Sequence, residues 1–224
     1  MGPLLHGRPA VKRILASLAA VAACGVISGT ANAQSRSGNF DFYVLALSWS
    51  PSFCALEGRE KGRAQCDGPA KGFVLHGLWP QYDRGFPSNC DHPVRNASYS
   101  VMQQIRGLYP EEGLARHQWR KHGTCAGQTP TGYFAEVKRA VEKVKIPDTF
   151  NEAREGGRVN PRDIERKFIE ANQGLRAGMI TTTCMRGMLQ EVRVCMSKDL
   201  RGFVACPDVV RSGCRAQNVS APTH

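Results

Sequence analysis

Apolar residues along the chain follow two rhythms, and the breaks between them outline the elements. Phe40 to Trp49 (FDFYVLALSW) is an aromatic and apolar run stopped by Ser50-Pro51-Ser52, which predicts a buried strand. Phe73 to His76 predicts a second strand. Met188 to Met196 (MLQEVRVCM) alternates apolar and polar residues in part and predicts a third, with Phe203 to Ala205 as a short partner. Three other segments place apolar residues three and four apart: Val101 to Leu108, Gly132 to Lys145 and Pro161 to Asn172. Each predicts a helix, the last with Pro161 near its start and Gly174 just past its end. Irregular stretches lie between them. Glu57 to Lys71 is charged and glycine-rich, and Arg84 to Ser98 is punctuated by Gly85, Pro87, Asn89, Asp91 and Pro93. Strands and helices mix without a regular βαβ alternation, so an α+β fold is expected. The sequence has no internal repeat, low-complexity segment or domain linker.

The N-terminus follows a different pattern. Arg8, Lys12 and Arg13 precede an apolar stretch from Ile14 to Ile27, and Ala31-Asn32-Ala33 forms an A-x-A site before Gln34. Residues 1–33 therefore read as a secretory signal peptide. A second reading is open: Val21-Ala22-Ala23-Cys24 loosely matches a lipoprotein signal, which would make Cys24 a lipid anchor. The run is shorter than the ~20 apolar residues a membrane span needs. Removing 33 of the 224 residues leaves 191, a length that fits one domain, 34–224. The formal charge of +11 falls by the segment's three basic residues to +8. Such a field favours a polyanion such as RNA or an anionic envelope surface, and it also serves plain solubility. Of nine cysteines, Cys24 leaves with the signal. Eight remain: Cys54, Cys66, Cys90, Cys125, Cys184, Cys195, Cys206 and Cys214. An even count in an exported chain implies four disulfides and an oxidising compartment, periplasmic or extracellular, with the connectivity left open.

Two short blocks concentrate the candidate chemistry. Phe73-Val74-Leu75-His76-Gly77-Leu78-Trp79-Pro80 and His117-Gln118-Trp119-Arg120-Lys121-His122-Gly123-Thr124-Cys125 hold three of six histidines, a lysine and two tryptophans. Two imidazoles suit cleavage of a phosphodiester by its own 2′-hydroxyl. One group must remove that proton, another must protonate the departing 5′-oxygen, and histidine does both near neutrality. Lys121 is a cation placed to offset charge developing on the phosphoryl oxygens. If Arg116 to His122 is helical, an advance of about 100° per residue places His117, Gln118, Lys121 and His122 within an arc of roughly 140°. That face could cradle a phosphate, and it could equally be a solvated helix end. Gly123 fits a helix C-terminus. His76 stands at the end of its strand, at a sheet margin where a cleft could form, or as a satisfied core residue. Trp79 beyond the following turn offers a face for base stacking, or core packing.

Other chemistries fit less well. His117, His122 and Cys125 have the spacing H-x4-H-x2-C, which matches no common zinc pattern, and Cys125 belongs to an even cysteine set. No G-x-S-x-G appears and no cysteine is left over as a nucleophile. Neither a cofactor nor a metal is expected.

The two blocks resemble the active-site segments of the ribonuclease T2 family, which carries FxxHGLWP in the first and HEWxKHGTC in the second. FDFYVLALSWSPSFC resembles the opening strand and following cysteine of that family, most closely in bacterial members. The segment from Cys184 to Cys214 is similar too, so the resemblance covers about residues 38–215. It implies an α+β fold around an antiparallel sheet, stapled by disulfides, with a metal-independent reaction that makes a 2′,3′-cyclic phosphate first. Residue by residue it implies His122 as general base, His76 as general acid, His117 as phosphate ligand, Lys121 as the cation at the pentacoordinate phosphoryl group and Trp79 at a base site. It also implies the pairs Cys54–Cys66, Cys90–Cys125, Cys184–Cys214 and Cys195–Cys206. Two positions depart from the family. Gln118 stands where the family has glutamate, and Ser48 where some members have glutamine at a base site, so base preference does not transfer. The expectation is an exported endoribonuclease of low base specificity, a monomer acting on RNA and not DNA, without a membrane span. The alternative is an RNA-binding or cytotoxic interaction protein on the same scaffold, its catalysis weakened by Gln118.

Overall fold

The structure, a computed structural model, describes Gly2 and residues 36–69, 71–150 and 156–223. The segment read above as a signal peptide lies, apart from Gly2, outside the described residues, as does Cys24. Among those described, the strands are β1 (Phe42–Trp49), β2 (Phe73–Gln81), β3 (Gly157–Val159), β4 (Ile180–Met185), β5 (Met188–Ser197) and β6 (Val219–Ala221). The helices are α1 (Ser50–Phe53), α2 (Tyr99–Gln104), α3 (Glu112–Lys121), α4 (Pro130–Lys143), α5 (Pro161–Ala171) and α6 (Pro207–Arg211). One sheet runs in the order β2-β1-β5-β6-β3, with β4 paired to β5 off this path. Its pairings are antiparallel except β5 with β6. The α+β expectation holds.

The sheet has two unlike faces because side chains alternate along each strand. Leu45, Leu47 and Trp49 of β1 share a face with Leu78, Leu75 and Phe73 of β2 and with Val192 and Val194 of β5. All are buried, in one cluster with Tyr133, Phe134, Val137 and Ala140 of α4 and Ile164 and Phe168 of α5. The opposite face carries Ala46 and Ser48 of β1 and, across from them, Arg193 and Glu191 of β5. At one end of that face Phe42, Val44, Cys195, Cys206 and Val209 form a second, smaller cluster. The remainder is polar, and it is the floor of the site.

Several boundaries differ from expectation for identifiable reasons. β2 does not end at His76 but runs to Gln81, so Trp79 lies within the strand and not past a turn. A glycine is needed at position 77 because Gln118 presses on it: a Cβ would overlap the Gln118 Oε1 atom and lie 2.5 Å from Trp79 Nε1. Pro80 is tolerated because β2 is an edge strand. α4 begins two residues earlier than periodicity alone places it. Pro130 occupies the first turn, and the Thr129 hydroxyl accepts the Gly132 N–H at 3.2 Å. α2 stops at Gln104 instead of reaching Leu108; Ile105 leaves helical geometry and Gly107 has φ +84°. β4 was not expected, since ITTTCM shows no alternation, yet its β-branched threonines suit a strand. It joins β5 through Arg186 and Gly187, both left-handed at φ 50° and 75°, which makes a two-residue hairpin turn. Phe203 makes an isolated bridge to Met196.

The disulfides are Cys54–Cys66, Cys90–Cys125, Cys184–Cys214 and Cys195–Cys206, the pairs the resemblance implied. Cys90–Cys125 pins the irregular segment before α2 to the turn after α3. Backbone contacts reinforce it: Asn89 N–H donates to Lys121 O at 2.8 Å and Trp119 Nε1–H to Val94 O at 3.2 Å. The end of α3 is therefore held from outside the helix as well as from the sheet. No helix among the described residues is long and apolar enough to cross a membrane.

Candidate active site

His76 owes its position to a fault in the ladder. Ala46 pairs with Gly77 and Leu47 with Leu75, so His76 is the extra residue of a β-bulge on β2. The bulge turns its ring toward β5, where Glu191 sits opposite Ser48. His76 Nδ1 and Glu191 Oε1 are 2.5 Å apart. The second carboxylate oxygen accepts from Arg193, at 2.9 Å from Nε and 2.7 Å from a terminal nitrogen. Glu191 is 3% exposed. Burial pushes its pKa up, but the hydrogen bond and charge of His76 and the charge and hydrogen bond of Arg193 outweigh this and hold it below the usual carboxylate value. An ionised Glu191 can only accept, so Nδ1 carries the proton and Nε2 is left for chemistry.

Trp79 separates the two imidazoles. Its ring meets His76 edge-on with centroids 5.1 Å apart and stacks on His122 at 5.2 Å and 27°. Its Nε1–H donates to Gln118 Oε1 at 2.7 Å, and the Arg193 guanidinium lies 5.3 Å from the ring centroid. Gln118 is thus 1% exposed and committed to Trp79. The single-arc reading of α3 is corrected here: His117 is exposed, Lys121 half-buried, and the Gln118 side chain turns inward against β2.

His122 caps α3, its N–H donating to Gln118 O at 2.9 Å. It is 5% exposed, and its Nδ1 is buried without a hydrogen-bond partner. Burial, then the charges of Lys121, His76 and His117, push its pKa down to about 3. His117 is lowered as well, by burial first and then by Lys121, Arg120, His76 and Arg63. His76, His117, Lys121 and His122 therefore feel one another's charge, and a bound phosphate would relieve that repulsion. Gly123 after His122 is not left-handed. It is required because a Cβ would overlap Trp119 Cε3 and lie 2.9 Å from the Tyr133 ring. A cleft of about 300 Å³ is lined by His76 and His117 with Ser48, Arg63, Gln190 and Glu191 among others, while Trp79, Lys121 and His122 are not among its lining residues.

Acid is expected to destabilise the protein through His122. The folded pKa lies below that of the unfolded chain, so the unfolded state takes up this proton first on acidification. The stability that comes from a neutral ring is full above about pH 6.5 and is lost as pH falls toward 3. An NMR titration is expected to find His122 neutral at pH 5, with the melting temperature falling through this window. A His122 midpoint near 6.5 would contradict the burial argument.

The family model described as the Ribonuclease T2 family matches residues 40–206, most of the described chain. The chain belongs to the ribonuclease T2 family. A ribonuclease from Aeromonas hydrophila is 34% identical over 192 residues, covering 81% of this chain and 83% of that protein. Two solved structures share the fold. An RNase-related protein from Calystegia sepium has TM-score 0.62 at 20% identity, covering 82% of this chain and 97% of its own. RNase NT in complex with 5′-AMP has TM-score 0.61 at 21% identity, covering 81% and 97%. The protein is accordingly a ribonuclease.

Within this T2 ribonuclease the two motif blocks meet, Trp79 touching Gln118 and His122, and His76 and His117 line one cleft, although the blocks lie about forty residues apart in sequence. Sequence reasoning missed Glu191 and Arg193. A signal was present: in MLQEVRVCM the two charges are two residues apart inside an apolar strand, so they share a face, and a charge pair on one face of an inner strand is rarely there for solvation. The metal alternative also loses a ligand, because Cys125 is bonded to Cys90.

Proposed function

We propose that this ribonuclease is an exported, metal-independent endonuclease of low base specificity that cleaves RNA through attack of the 2′-hydroxyl, leaving a 2′,3′-cyclic phosphate. One observation carries the reading: His76 and His122 stand on either side of Trp79 in different electrostatic settings. The first donates Nδ1–H to the buried Glu191 carboxylate and keeps Nε2 free. The second is buried among cations, which favours its neutral form. Two imidazoles in such unlike surroundings, one hydrogen-bonded to a carboxylate and one buried and neutral, suit an acid and a base. His122 then takes the 2′-hydroxyl proton and His76 protonates the leaving 5′-oxygen. His117 and Lys121 hold and stabilise the phosphoryl oxygens. Gln118 contributes by fixing Trp79, whose half-buried ring offers a base a sequence-tolerant surface.

Export is supported by the N-terminal segment in sequence and by four disulfides, which persist in oxidising compartments. The basic balance suits a polyanionic substrate. A dinucleotide whose scissile nucleotide lacks the 2′-hydroxyl is expected to resist cleavage completely while still competing for the site. Cleavage of that analogue, or of DNA, would refute the proposed nucleophile.

A further inference from the structure

The carboxylate under His76 is unexplained by the sheet. Glu191 sits on β5, a strand paired on both sides, almost without exposure. Burying an ionised carboxylate costs several kcal/mol unless it is paired, and an apolar residue at that position would serve the fold better. Both of its oxygens are occupied, one by His76 and the other by Arg193. Arg193 also lies over Trp79, so the three side chains brace one another. Gln118, the other buried polar group beside the histidines, cannot ionise and is spent on Trp79.

We propose that Glu191, held by Arg193, is the positioning residue of the general acid: it fixes the Nδ1–H tautomer of His76, aims Nε2 into the cleft and places a negative charge behind the imidazolium that gives its proton to the 5′-oxygen. This rests on the reading of His76 as the acid. The charges facing His76 make the need clear. Its own strand offers only Trp79; α3 brings His117, Lys121 and His122; Arg63 lies in the same cleft with Glu57 and Glu111, and β5 brings Arg193 with Glu191. Among these groups Glu191 is the anion in hydrogen-bond contact with His76. A carboxylate behind an imidazole is a known way to set tautomer and stabilise imidazolium.

The test compares the wild-type enzyme with Glu191→Gln, which keeps shape and an acceptor while removing charge, and with Glu191→Asp, which keeps charge and shortens the reach. The His76 midpoint is read by NMR in the free proteins, and kcat and KM on one dinucleotide are measured across pH. In Glu191→Gln the midpoint is expected to fall by about one pH unit or more, with the alkaline limb of kcat moving down alongside it. At neutral pH kcat should then drop about tenfold or more, with KM changed far less. Glu191→Asp should keep the limb where it is while lowering kcat, and it decides the matter if the Gln variant fails to fold. An unchanged midpoint and profile in Glu191→Gln, or wild-type kcat in Glu191→Asp, would overturn the proposal. The reading beneath it fails separately: a His76→Ala enzyme as active as wild type would remove the acid role even if Glu191 still moved the His76 midpoint.

Discussion

Replacing His76 or His122 with alanine is expected to lower kcat on a dinucleotide by about two to four orders of magnitude, the usual range for loss of a general acid or base. The two losses should not add. Once the 2′-hydroxyl proton has no acceptor, a competent donor for the 5′-oxygen gains little, so the double variant should fall only slightly below the worse single one. Neither change should unfold the protein. His76 is the bulge residue of an edge strand with its side chain one-third exposed, and His122 caps a helix already pinned by Cys90–Cys125. Circular dichroism at neutral pH therefore serves as the control. Near-normal turnover in either single variant would withdraw the role assigned to that residue.

Gly77→Ala should have a comparably large effect without touching a titratable group. The added methyl would overlap Gln118 Oε1 and come within 2.5 Å of Trp79 Nε1 and 2.9 Å of Gln118 Cδ. The first two are the acceptor and donor of the bond that locks the indole between the imidazoles, and the third carries the acceptor. Either Gln118 leaves Trp79 or α3 moves off β2, and both separate His122 from His76. Overpacking of this kind costs about 1–3 kcal/mol of stability, and a displacement of about 1 Å at the reacting groups costs roughly a hundredfold in rate. Gly113→Ala is the matched control, since a Cβ there meets nothing within 4 Å. It lies in α3 as well, and should leave activity unchanged while slightly favouring the helix. Equal activity in the two variants would show that the Gln118–Trp79 lock is dispensable.

What the sequence made legible was whatever depends on local pattern. The run FDFYVLALSW is apolar on both phases because β1 is paired on both sides and covered on both faces near one end, so its strand character was plain. Pro161 marks the start of α5 in sequence and in structure alike, where the Asn160 side chain caps it. What stayed hidden depends on approach between distant segments. Gly77 and Gly123 look like punctuation, yet both are small because a side chain from another element occupies the space a Cβ would fill. Helical periodicity placed Gln118 beside His117 and Lys121 on one arc, and only the proximity of β2 shows that its amide is turned inward. His122 was visible as a residue type but not as a nearly buried ring with its basicity depressed, which follows from how tightly α3 and Trp79 close over it. Glu191 and His76 are 115 residues apart, and their contact needs both the sheet order and the one-residue bulge.

The sharpest test of the account is digestion of RNA by the purified protein in excess EDTA, with the chemical ends of the products identified by mass spectrometry. Two histidines and a lysine acting on the substrate's own hydroxyl need no metal-bound water. Cleavage should proceed undiminished and the fragments should carry 2′,3′-cyclic phosphate and 5′-hydroxyl ends. Loss of cleavage on chelation, or fragments ending in 3′-hydroxyl and 5′-phosphate, would contradict it.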